Sequence, residues 1–391
     1  MDFMKKELKQ LKKDGLYREM RCVESSQGPE IVINHKKYLC FCSNNYLGLA
    51  NNEEIKKEAI KAIKKYGVGT GASRLISGNM FLHELLEEKI ALFKRKEAGI
   101  VFTTGYMANL GTISALAGNN DLVIVDKLNH ASIIDACRLS GAHLRVYPHK
   151  NMIKLEKFLL NSDKYNKKII ITDSLFSMDG DIAPLKNIVA LARKYDAITM
   201  IDEAHATGVF GGKGRGVAEY LDVENDIDIC MGTFSKSLGS LGGYVVGKKT
   251  LIEYLRNKAR SFVYTTGIPP AICATSIAAL DYCKNHLEIK ESLWSNVRYM
   301  QENIEKLGYT LLSKDSQIIS IIIGDIKNTM NLSDYLFSEG IMVPGIRPPT
   351  VPKGTSRLRI SVMANHSKEQ LDRCLEAFEE CAKMHRNARN E

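Results

Sequence analysis

The stretch TFSKSLGSLGG, at residues 233–243, decides the fold. It places Lys236 between small hydroxyl residues and a run of glycines, directly after the apolar, strand-like residues 227–231. Hydroxyl side chains can donate to a phosphate, and a glycine-rich backbone can approach such a ligand closely. A lysine amine becomes a nucleophile toward carbonyl groups once it has lost its proton. The stretch therefore predicts a ligand-binding turn at the end of a strand.

A second polar motif, Asp202-Glu203-Ala204-His205, follows another apolar run at residues 197–201. An aspartate after a strand is often only a helix N-cap, and the histidine could be an ordinary hydrogen-bonded side chain. Beside a lysine turn, however, the aspartate can pair with a pyridine nitrogen and make the ring an electron sink. His205 can then reach the phenolic oxygen of the same ring. Together with Lys236, this motif predicts a site for pyridoxal phosphate.

Two further segments can complete such a site. His130 opens a predicted helix after residues 123–126, where it is either a polar helix-start residue or a ring stacked on the cofactor. A stacked imidazole could also hydrogen-bond a substrate acid. Residues 104–109 follow the strand-like residues 100–102 and begin a helix, whose first N–H groups form a natural anion site. We therefore expect the cofactor phosphate at residues 104–109.

Arg357 and Arg359 lie two residues apart in a predicted strand at residues 357–362, so they share one face of it. One of them can hold a carboxylate through the two-pronged guanidinium fork. Taken alone, such a pair would more often be surface arginines on an edge strand.

Strand-like and helix-like segments alternate from about residue 45 to residue 285, which favours βαβ units and a largely parallel sheet buried on both faces. The predicted strands are residues 100–102, 122–125, 144–147, 169–171, 198–201, 227–231 and 244–246, and the clearest helices between them are residues 81–93, 132–139 and 185–195. Ligands of such sheets bind outside the carboxyl ends of the strands. Because Ser177, Asp202 and the Lys236 turn all follow strands, we expect them to converge.

The pattern of strand-like and helix-like segments changes along the chain and predicts three parts. These are an N-terminal arm (1–45), a large cofactor-binding domain (46–285) and a smaller α+β domain (286–391). The arm has a basic helix and a strand pair at residues 30–41. The small domain has a long helix (289–307), a strand (318–323), a helix near residues 332–339, the arginine strand and a final helix (368–384).

Bulk composition limits the other possibilities. The chain has 391 residues, nine cysteines without CxxC spacing and a formal net charge of +9. Reduced core thiols explain the cysteines better than a zinc site does. The lysines are spread over amphipathic helices, which argues against nucleic acid as the main partner. Since no apolar run approaches a membrane span and the N-terminus lacks a signal-peptide core, we expect a soluble, cytoplasmic protein.

Taken together, these segments resemble the α-oxoamine synthases, pyridoxal-phosphate enzymes of fold type I (aspartate-aminotransferase-like). The resemblance covers nearly the whole chain. The matching segments are SNNYLGLA (43–50), GTGASRLISGN (69–79), NHASIIDA (129–136), DSLFSMDGDIAPL (173–185), DEAHATGVFGGKGRG (202–216), GTFSKSLG (232–239) and IRPPTVPKGTSRLRIS (346–361).

The resemblance implies a role for each matching residue. The lysine that attaches the cofactor is Lys236, Asp202 pairs with the ring nitrogen, and His130 stacks on the ring. The other expected cofactor contacts are Gly105, Tyr106, Ser177, His205, Thr233 and Ser235, with Thr265 and Thr266 reaching the phosphate of a second subunit across a homodimer interface. The expected substrate contacts are Arg359 and Asn44 for the amino-acid carboxylate, with Arg347, Thr350 and either Arg18 or Arg21. Ser235 departs from the glycine that often precedes the lysine.

The family joins an amino acid to an acyl thioester carried by coenzyme A or an acyl carrier protein. Residues 346–359 look most like the branch that condenses L-alanine with a pimeloyl thioester and releases carbon dioxide. Residues 44–49 and 129–135 also suit the branch that joins glycine to an acetyl group. Two other classes share some of these features: a plain aminotransferase would use Lys236 and Asp202 without a thioester, and a basic nucleic-acid-binding protein would be colourless.

Overall fold

The structure is a computed structural model that describes residues 1–390, and of residues 384–390 the backbone only. The helices are α1 (Asp2–Lys13), α2 (Glu53–Tyr66), α3 (Phe81–Phe93), α4 (Gly105–Leu116), α5 (Ala131–Ser140), α6 (Met152–Leu160), α7 (Leu185–Lys194), α8 (Val217–Tyr220), α9 (Lys249–Lys258), α10 (Arg260–Val263), α11 (Pro270–Asn285), α12 (Glu288–Lys306), α13 (Ile326–Ser338) and α14 (Lys368–Asn390). The strands are β1 (Glu30–Ile33), β2 (Lys36–Cys40), β3 (Ala98–Phe102), β4 (Leu122–Asp126), β5 (His143–Tyr147), β6 (Lys168–Asp173), β7 (Ile198–Asp202), β8 (Ile229–Thr233), β9 (Gly243–Gly247), β10 (Ile318–Gly324), β11 (Ile341–Met342), β12 (Gly345–Ile346) and β13 (Ser356–Ser361).

The chain divides into two compact units. The sheet unit comprises Leu49–Ser177 and Ile182–Lys290. The terminal unit comprises Met1–Gly48, the short segment Met178–Asp181 and the described chain from Glu291 onward. The arm predicted at residues 1–45 thus groups with the C-terminal part, whereas the three-part division by sequence texture stays a prediction.

The sheet unit is built on seven strands in the order β3-β9-β8-β7-β6-β4-β5. β9 runs antiparallel to both of its neighbours, and the remaining pairs are parallel. Every residue of β4, β8 and β9 is buried, as expected for a sheet covered by helices on both faces. The predicted mainly parallel sheet is confirmed, and each of the seven predicted strands is present; the run at 227–231 becomes a strand only from Ile229.

The terminal unit contains two three-stranded sheets, in the orders β1-β2-β11 and β10-β13-β12. β2 and β11 pair in parallel although about three hundred residues separate them in the chain, with Leu39 opposite Ile341. β13 lies in the middle of its sheet and is buried throughout, so its arginines are not surface residues on an edge strand. Arg357 instead forms an ion pair of 2.7 Å with Asp179.

Among the helices that the structure describes, none combines the length and the apolarity required to cross a membrane.

Candidate active site

A cavity of about 230 Å³ opens where the parallel strands of the sheet unit end. Its lining residues come from the segments that follow β3, β4, β6, β7 and β8, and they are Thr104, Gly105, Tyr106, Asn109, His130, Ser132, Asp173, Ser177, Asp202, Ala204, His205, Met231, Thr233, Ser235 and Lys236. Of the predicted cofactor contacts, the cavity brings together Gly105, Tyr106, His130, Ser177, Asp202, His205, Thr233, Ser235 and Lys236. The predicted convergence at the strand ends is therefore observed.

The turn that carries Lys236 is held by hydrogen bonds from Thr233 at the end of β8. The Thr233 hydroxyl donates to the Gly242 carbonyl oxygen at 2.6 Å and lies 2.7 Å from the Ser235 hydroxyl. Gly239 has a positive φ of 62° and packs against the main chain of Ala50, where any Cβ would overlap it. The glycines and hydroxyls of this stretch thus fix the backbone on both sides of the lysine.

Asp202, at the end of β7, is a buried carboxylate with two neutral donors. Its Oδ1 accepts from the main-chain N–H of Ala204 at 2.9 Å, and its Oδ2 accepts from Asn109 Nδ2 at 2.8 Å. Asn109 Nδ2 also donates to the Ser132 hydroxyl at 3.0 Å, and that hydroxyl lies 2.7 Å from His130 Nδ1. Asn109 and Ser132 therefore connect the aspartate to the histidine through hydrogen bonds.

His130 is the N-cap of α5, and its Nδ1 accepts from the main-chain N–H of Ser132 at 3.3 Å. The ring faces the open cavity, but the protein around it lowers its pKa by desolvation; the carboxylate of Asp202 opposes this effect and the charge of Lys236 adds to it. A neutral ring whose Nδ1 accepts carries its proton on Nε2. His130 can therefore donate a hydrogen bond from Nε2.

Asp173 is a cavity residue that the sequence analysis did not single out. It ends β6 directly opposite Asp202 in the sheet register, and its Oδ2 accepts from the main-chain N–H of His130 at 2.7 Å. Burial, reinforced by the charge of Asp202, raises the pKa of Asp173 well above the usual aspartate value. Of the two neighbouring buried carboxyl groups, Asp173 is therefore one whose surroundings favour the protonated form.

The predicted phosphate end lies at the start of α4. Thr104 is the N-cap, and its hydroxyl accepts from the main-chain N–H of Met107 at 3.1 Å. Gly105 is the first residue of the helix, and a Cβ there would come within 3.1 Å of Met231 Cε. The Tyr106 hydroxyl donates to Asp135 at 2.6 Å, an interaction that raises the pKa of the phenol. Free N–H groups at such a helix start suit an anion.

In the terminal unit, Arg359 and Asn44, the two residues predicted to bind the amino-acid carboxylate, contact each other. Arg359 Nη2 donates to Asn44 Oδ1 at 3.3 Å, and Nη1 donates to the Ser361 hydroxyl at 2.8 Å. The hydroxyl of Tyr46, itself fully buried, donates to the same Asn44 oxygen at 3.0 Å. All three of these partners, Asn44, Ser361 and Tyr46, are neutral side chains.

The remaining predicted residues lie elsewhere. Thr265 and Thr266 do not line the cavity; Thr266 is exposed and pairs with Ser73 through an isolated β-bridge. Arg347 donates to the Tyr17 carbonyl oxygen at 2.7 Å, which ties the loop before β13 to the N-terminal arm. Arg18 and Thr350 are exposed, and their predicted substrate contacts stay predictions.

Arg21, the alternative to Arg18, lies over the Phe337 ring at 3.7 Å and within 3.9 Å of Asp334. These contacts give Arg21 a structural role in the terminal unit. Both arginine side chains are exposed, so accessibility does not distinguish Arg18 from Arg21.

The cavity residues fit pyridoxal phosphate by the chemistry of their donors and acceptors. Hydroxyl groups and the start of α4 suit a phosphate, the buried Asp202 suits a protonated ring nitrogen, and Lys236 suits an aldehyde. Asn109 Oδ1 is buried in the cavity wall and has no hydrogen-bond partner among the described residues, so it offers an acceptor to a ligand. Buried polar atoms are nearly always paired, and a bound ligand would pair this one.

Asn109, Ser132 and Asp173 were missed by sequence reasoning for a common reason. Each is a polar residue in or beside an apolar segment, and single polar residues at such positions usually cap helices. For Asp173 a signal did exist, because it ends the strand before the one that ends in Asp202. Neighbouring parallel strands place their last residues side by side, which predicts that the two carboxyl groups meet.

The family model described as aminotransferase class I and II matches residues 36–378. Among curated proteins, the chain is 48% identical to an 8-amino-7-oxononanoate synthase of Thermoanaerobacter pseudethanolicus, with 98% of each chain covered. It is 46% identical to the synthase of the same name from Citrifermentans bemidjiense, over 98% of this chain and 99% of the relative.

Solved structures give the same fold. A serine palmitoyltransferase of Sphingomonas wittichii matches with a TM-score of 0.93 at 34% identity, covering 98% of this chain and 97% of the other. A serine palmitoyltransferase solved with pyridoxal phosphate matches with a TM-score of 0.94 at 34% identity, covering 98% of both chains. An 8-amino-7-oxononanoate synthase of Francisella tularensis matches with a TM-score of 0.77 at 30% identity, covering 89% and 98%.

Proposed function

Because the chain belongs to the class I and II aminotransferase family, as a pyridoxal-phosphate acyltransferase of fold type I, we propose that it condenses L-alanine with a pimeloyl thioester. The products are 8-amino-7-oxononanoate, carbon dioxide and the free thiol, and the reaction serves biotin synthesis. The observation that carries this proposal is an identity of 46–48% over 98% of the chain to relatives named for that product.

The carbon balance is consistent with the product. Alanine contributes three carbons and loses one as carbon dioxide, and the pimeloyl group contributes seven, which gives a nine-carbon amino ketone. One carbon–carbon bond forms between alanine Cα and the thioester carbonyl carbon, and the carbon–sulfur bond breaks with release of the thiol. No oxidant or reductant is required.

Bound pyridoxal phosphate supplies an electron-accepting ring that stabilises negative charge at the amino-acid Cα. Asp202 would hold the cofactor by pairing with its ring nitrogen, and the donors Asn109 and Ala204 hold that carboxylate in place. Lys236 would hold the cofactor through its amine, and its Nζ, once free, would serve as the general base for the Cα proton. Thr233, Ser235 and the start of α4 bind the phosphate.

Arg359 binds the carboxylate of the amino acid through its guanidinium fork, and Asn44 orients that fork. Fixing the carboxylate would limit the orientations that the amino-acid Cα can take up in the site. Such positioning can lower a barrier by about 7–11 kcal/mol when both reactants are held in line.

His130 would hold the cofactor by stacking on its ring, and its Nε2 would donate a hydrogen bond to the acid group that is lost as carbon dioxide. Its lowered pKa keeps the imidazole neutral at neutral pH, and Ser132 fixes its Nδ1 as the acceptor. The role of His130 is to hold the acid until the carbon–carbon bond breaks.

Two other pairs of substrates deserve direct comparison. Glycine with an acetyl thioester is the second candidate, because residues 44–49 and 129–135 suit that branch. L-serine with a palmitoyl thioester is included in the comparison because a serine palmitoyltransferase structure overlays on this chain with a TM-score of 0.93. The synthase from Francisella tularensis overlays with a TM-score of 0.77. Sequence identity, 48% against 34%, favours the alanine reaction.

The test is a thiol-release assay in which alanine, glycine and serine are crossed with pimeloyl, acetyl and palmitoyl thioesters. Alanine with the pimeloyl group should give the highest kcat/KM and one carbon dioxide per thiol. A preference for glycine with the acetyl group would replace the proposal with the second candidate. Pyruvate formation from alanine without thioester would instead indicate a plain aminotransferase. Running the assay with both coenzyme A and acyl carrier protein identifies the carrier.

We further propose that the enzyme is a homodimer in which Thr265 and Thr266 reach the phosphate of the partner subunit. Large apolar side chains are exposed near this segment: Leu75, Ile76, Phe81 and Tyr264 are 56%, 81%, 63% and 72% exposed. Apolar residues clustered at a surface mark an interface. Light scattering should give twice the 43.7 kDa chain mass, and an Ile76→Glu variant should shift toward the monomer.

A further inference from the structure

A second cavity of the sheet unit lies away from the candidate active site. Its volume is about 210 Å³, close to the 230 Å³ of the first cavity. It is lined by Leu122, Arg145, Lys154, Lys157, Phe158, Asn161, Lys164 and Tyr165. Leu122 begins β4, whereas the active-site residues follow the ends of the strands, so about four residues, or roughly 13 Å, of strand separate the two.

All charged side chains that line this second cavity are cationic. Its four cationic side chains are Arg145, Lys154, Lys157 and Lys164, and no carboxylate lines it. None of the four forms an ion pair with a carboxylate of the described chain. Charges of one sign that face a common space repel each other, and an anionic ligand would relieve that repulsion.

Two acidic residues close to the cavity in sequence are engaged with other lysines. Glu156 pairs with Lys194 at 2.7 Å, and Asp121 pairs with Lys167 at 3.1 Å. Asp163 lies in the same loop as Lys164 but does not line the cavity. Carboxylates are therefore present near the cavity in the sequence, but Asp121, Glu156 and Asp163 do not line it.

Aromatic side chains form the rest of the wall. Phe158 and Tyr165 are half-buried there beside the buried Leu122. Lys154 lies 5.0 Å from the centre of the Phe158 ring, and Lys164 lies 5.2 Å from the centre of the Tyr165 ring. Aromatic side chains can pack against a flat aromatic group, edge to face or offset, while cations beside them hold its charged substituent.

Helical spacing brings several of these groups onto one surface. Lys157 and Phe158 each lie three or four residues from both Lys154 and Asn161 along α6 and its C-cap, so the four side chains share one face of the helix. The opposite wall comes from β5 and from the loop before β6. The cavity is thus assembled from three separate segments and is not a lysine-rich stretch of a single one.

We infer that this cavity binds a nucleoside phosphate, with the base against Phe158 and Tyr165 and the phosphate among Arg145, Lys154, Lys157 and Lys164. Inorganic phosphate alone would leave the aromatic wall unused. A long nucleic acid would need a basic track beyond a cavity of about 210 Å³. The site is independent of the proposed reaction, because no residue lines both cavities.

The experiment is calorimetric titration of the cofactor-loaded enzyme with AMP, adenosine bisphosphate, inorganic pyrophosphate and a short single-stranded RNA. Wild-type enzyme should bind a nucleotide saturably and more tightly than pyrophosphate. Replacing both Lys157 and Lys164 with Gln should weaken nucleotide binding at least tenfold. A Phe158→Leu variant should weaken binding of the nucleotide and leave that of pyrophosphate within twofold.

The matched control removes two equally exposed lysines from another helix of the same unit, Lys57→Gln with Lys64→Gln in α2. It changes the net charge by the same amount and should leave nucleotide affinity within twofold. Equal losses in both double variants, or no saturable nucleotide binding, would overturn the inference. Tighter binding of RNA than of any nucleotide would replace it with a nucleic-acid surface. The active-site absorbance should not change in either double variant.

Discussion

The main-chain N–H of His130 donates a 2.7 Å hydrogen bond to Asp173, whose strand places it directly beside Asp202. The proposed ring-stacking histidine is thus anchored by one carboxyl group and connected, through Ser132 and Asn109, to the other. Burial raises the pKa of Asp173, which favours the neutral form of this anchor.

An Asp173→Asn variant should retain nearly full activity, because an amide oxygen can accept the His130 N–H as the protonated acid does. Asp173→Ala should lower kcat, since the buried N–H loses its partner at a cost of about 1–3 kcal/mol. Steady-state kinetics of the two variants make the comparison. A loss of activity in the Asn variant as large as in the Ala variant would show that the carboxyl group itself ionises in the reaction.

The same residue predicts a pH dependence of stability. A carboxyl group with a raised folded-state pKa stabilises the fold fully below the ordinary aspartate pKa of about 3.9, and this contribution is lost as pH rises through the folded-state value. The Asp173→Asn variant lacks this titration. Thermal unfolding from pH 4 upward should therefore show the variant gaining stability relative to wild type as pH increases.

Lys236→Ala should abolish covalent attachment of the cofactor and lower kcat/KM by about 10²–10⁴-fold, the range for loss of a general base. Borohydride reduction followed by mass spectrometry of the denatured chain measures the attachment. Lys258→Ala, at the exposed end of α9, is the control and should keep a modified chain. Retention of reduced cofactor in the Lys236 variant would move the attachment to another lysine.

Arg359→Ala and Arg357→Ala should differ although the two arginines lie two residues apart on β13. Loss of the Arg359 contacts should raise the KM for the amino acid about 10–100-fold, from about 1.5–3 kcal/mol per charged hydrogen bond, with little change in the KM for the thioester. Loss of Arg357 leaves Asp179 without its 2.7 Å partner. That variant should be less stable by about 3 kcal/mol and should keep its KM values.

His366 predicts a second loss of stability, on the acid side. It is buried against the Phe41 ring, its Nδ1 accepts from the Met363 N–H, and desolvation lowers its pKa to about 4. Between about pH 6.5, the ordinary histidine pKa, and about pH 4, the unfolded chain binds a proton at this residue and the folded chain does not. The free energy of unfolding therefore decreases as the pH is lowered through this range. The expected decrease in the free energy of unfolding is about 3 kcal/mol, since each pKa unit corresponds to about 1.36 kcal/mol.

A His366→Asn variant keeps an acceptor for the Met363 N–H and removes the titration. Urea unfolding at pH 7 and at pH 4.5 should therefore show a smaller difference in the variant than in wild type. An identical difference in both proteins would assign the acid sensitivity to other groups.

The large sheet was predictable from sequence because each of its strands is a short apolar run followed by a helix or a turn. The helix predicted near residues 332–339 begins earlier, at Ile326, because Asp325 caps it by accepting from the Asn328 N–H at 2.8 Å. Four polar residues before Leu332, namely Lys327, Asn328, Thr329 and Asn331, obscured the apolar period. Local capping thus outweighed the hydrophobic pattern at that boundary.

The grouping of the N-terminal arm with the C-terminal part could not be read from the sequence. It depends on two residue pairs between β2 and β11 and on the Arg347 contact with Tyr17, which are separated by about three hundred residues. No local period encodes such a pairing. The cavity residues followed from strand ends and were predictable, whereas Asn109 and Ser132 were recognisable only once α4 and α5 were packed together.

The tight packing of Gly239 on Ala50 has a practical consequence for engineering. A library that randomises the lysine turn would mostly yield unfolded or cofactor-free chains, because its glycines are fixed by steric fit. Changes of acyl preference are better sought at exposed positions such as Arg18 and Thr350, where side chains can vary without disturbing the backbone that carries Lys236. The turn therefore positions the Lys236 amine and also limits which residues directed evolution can change.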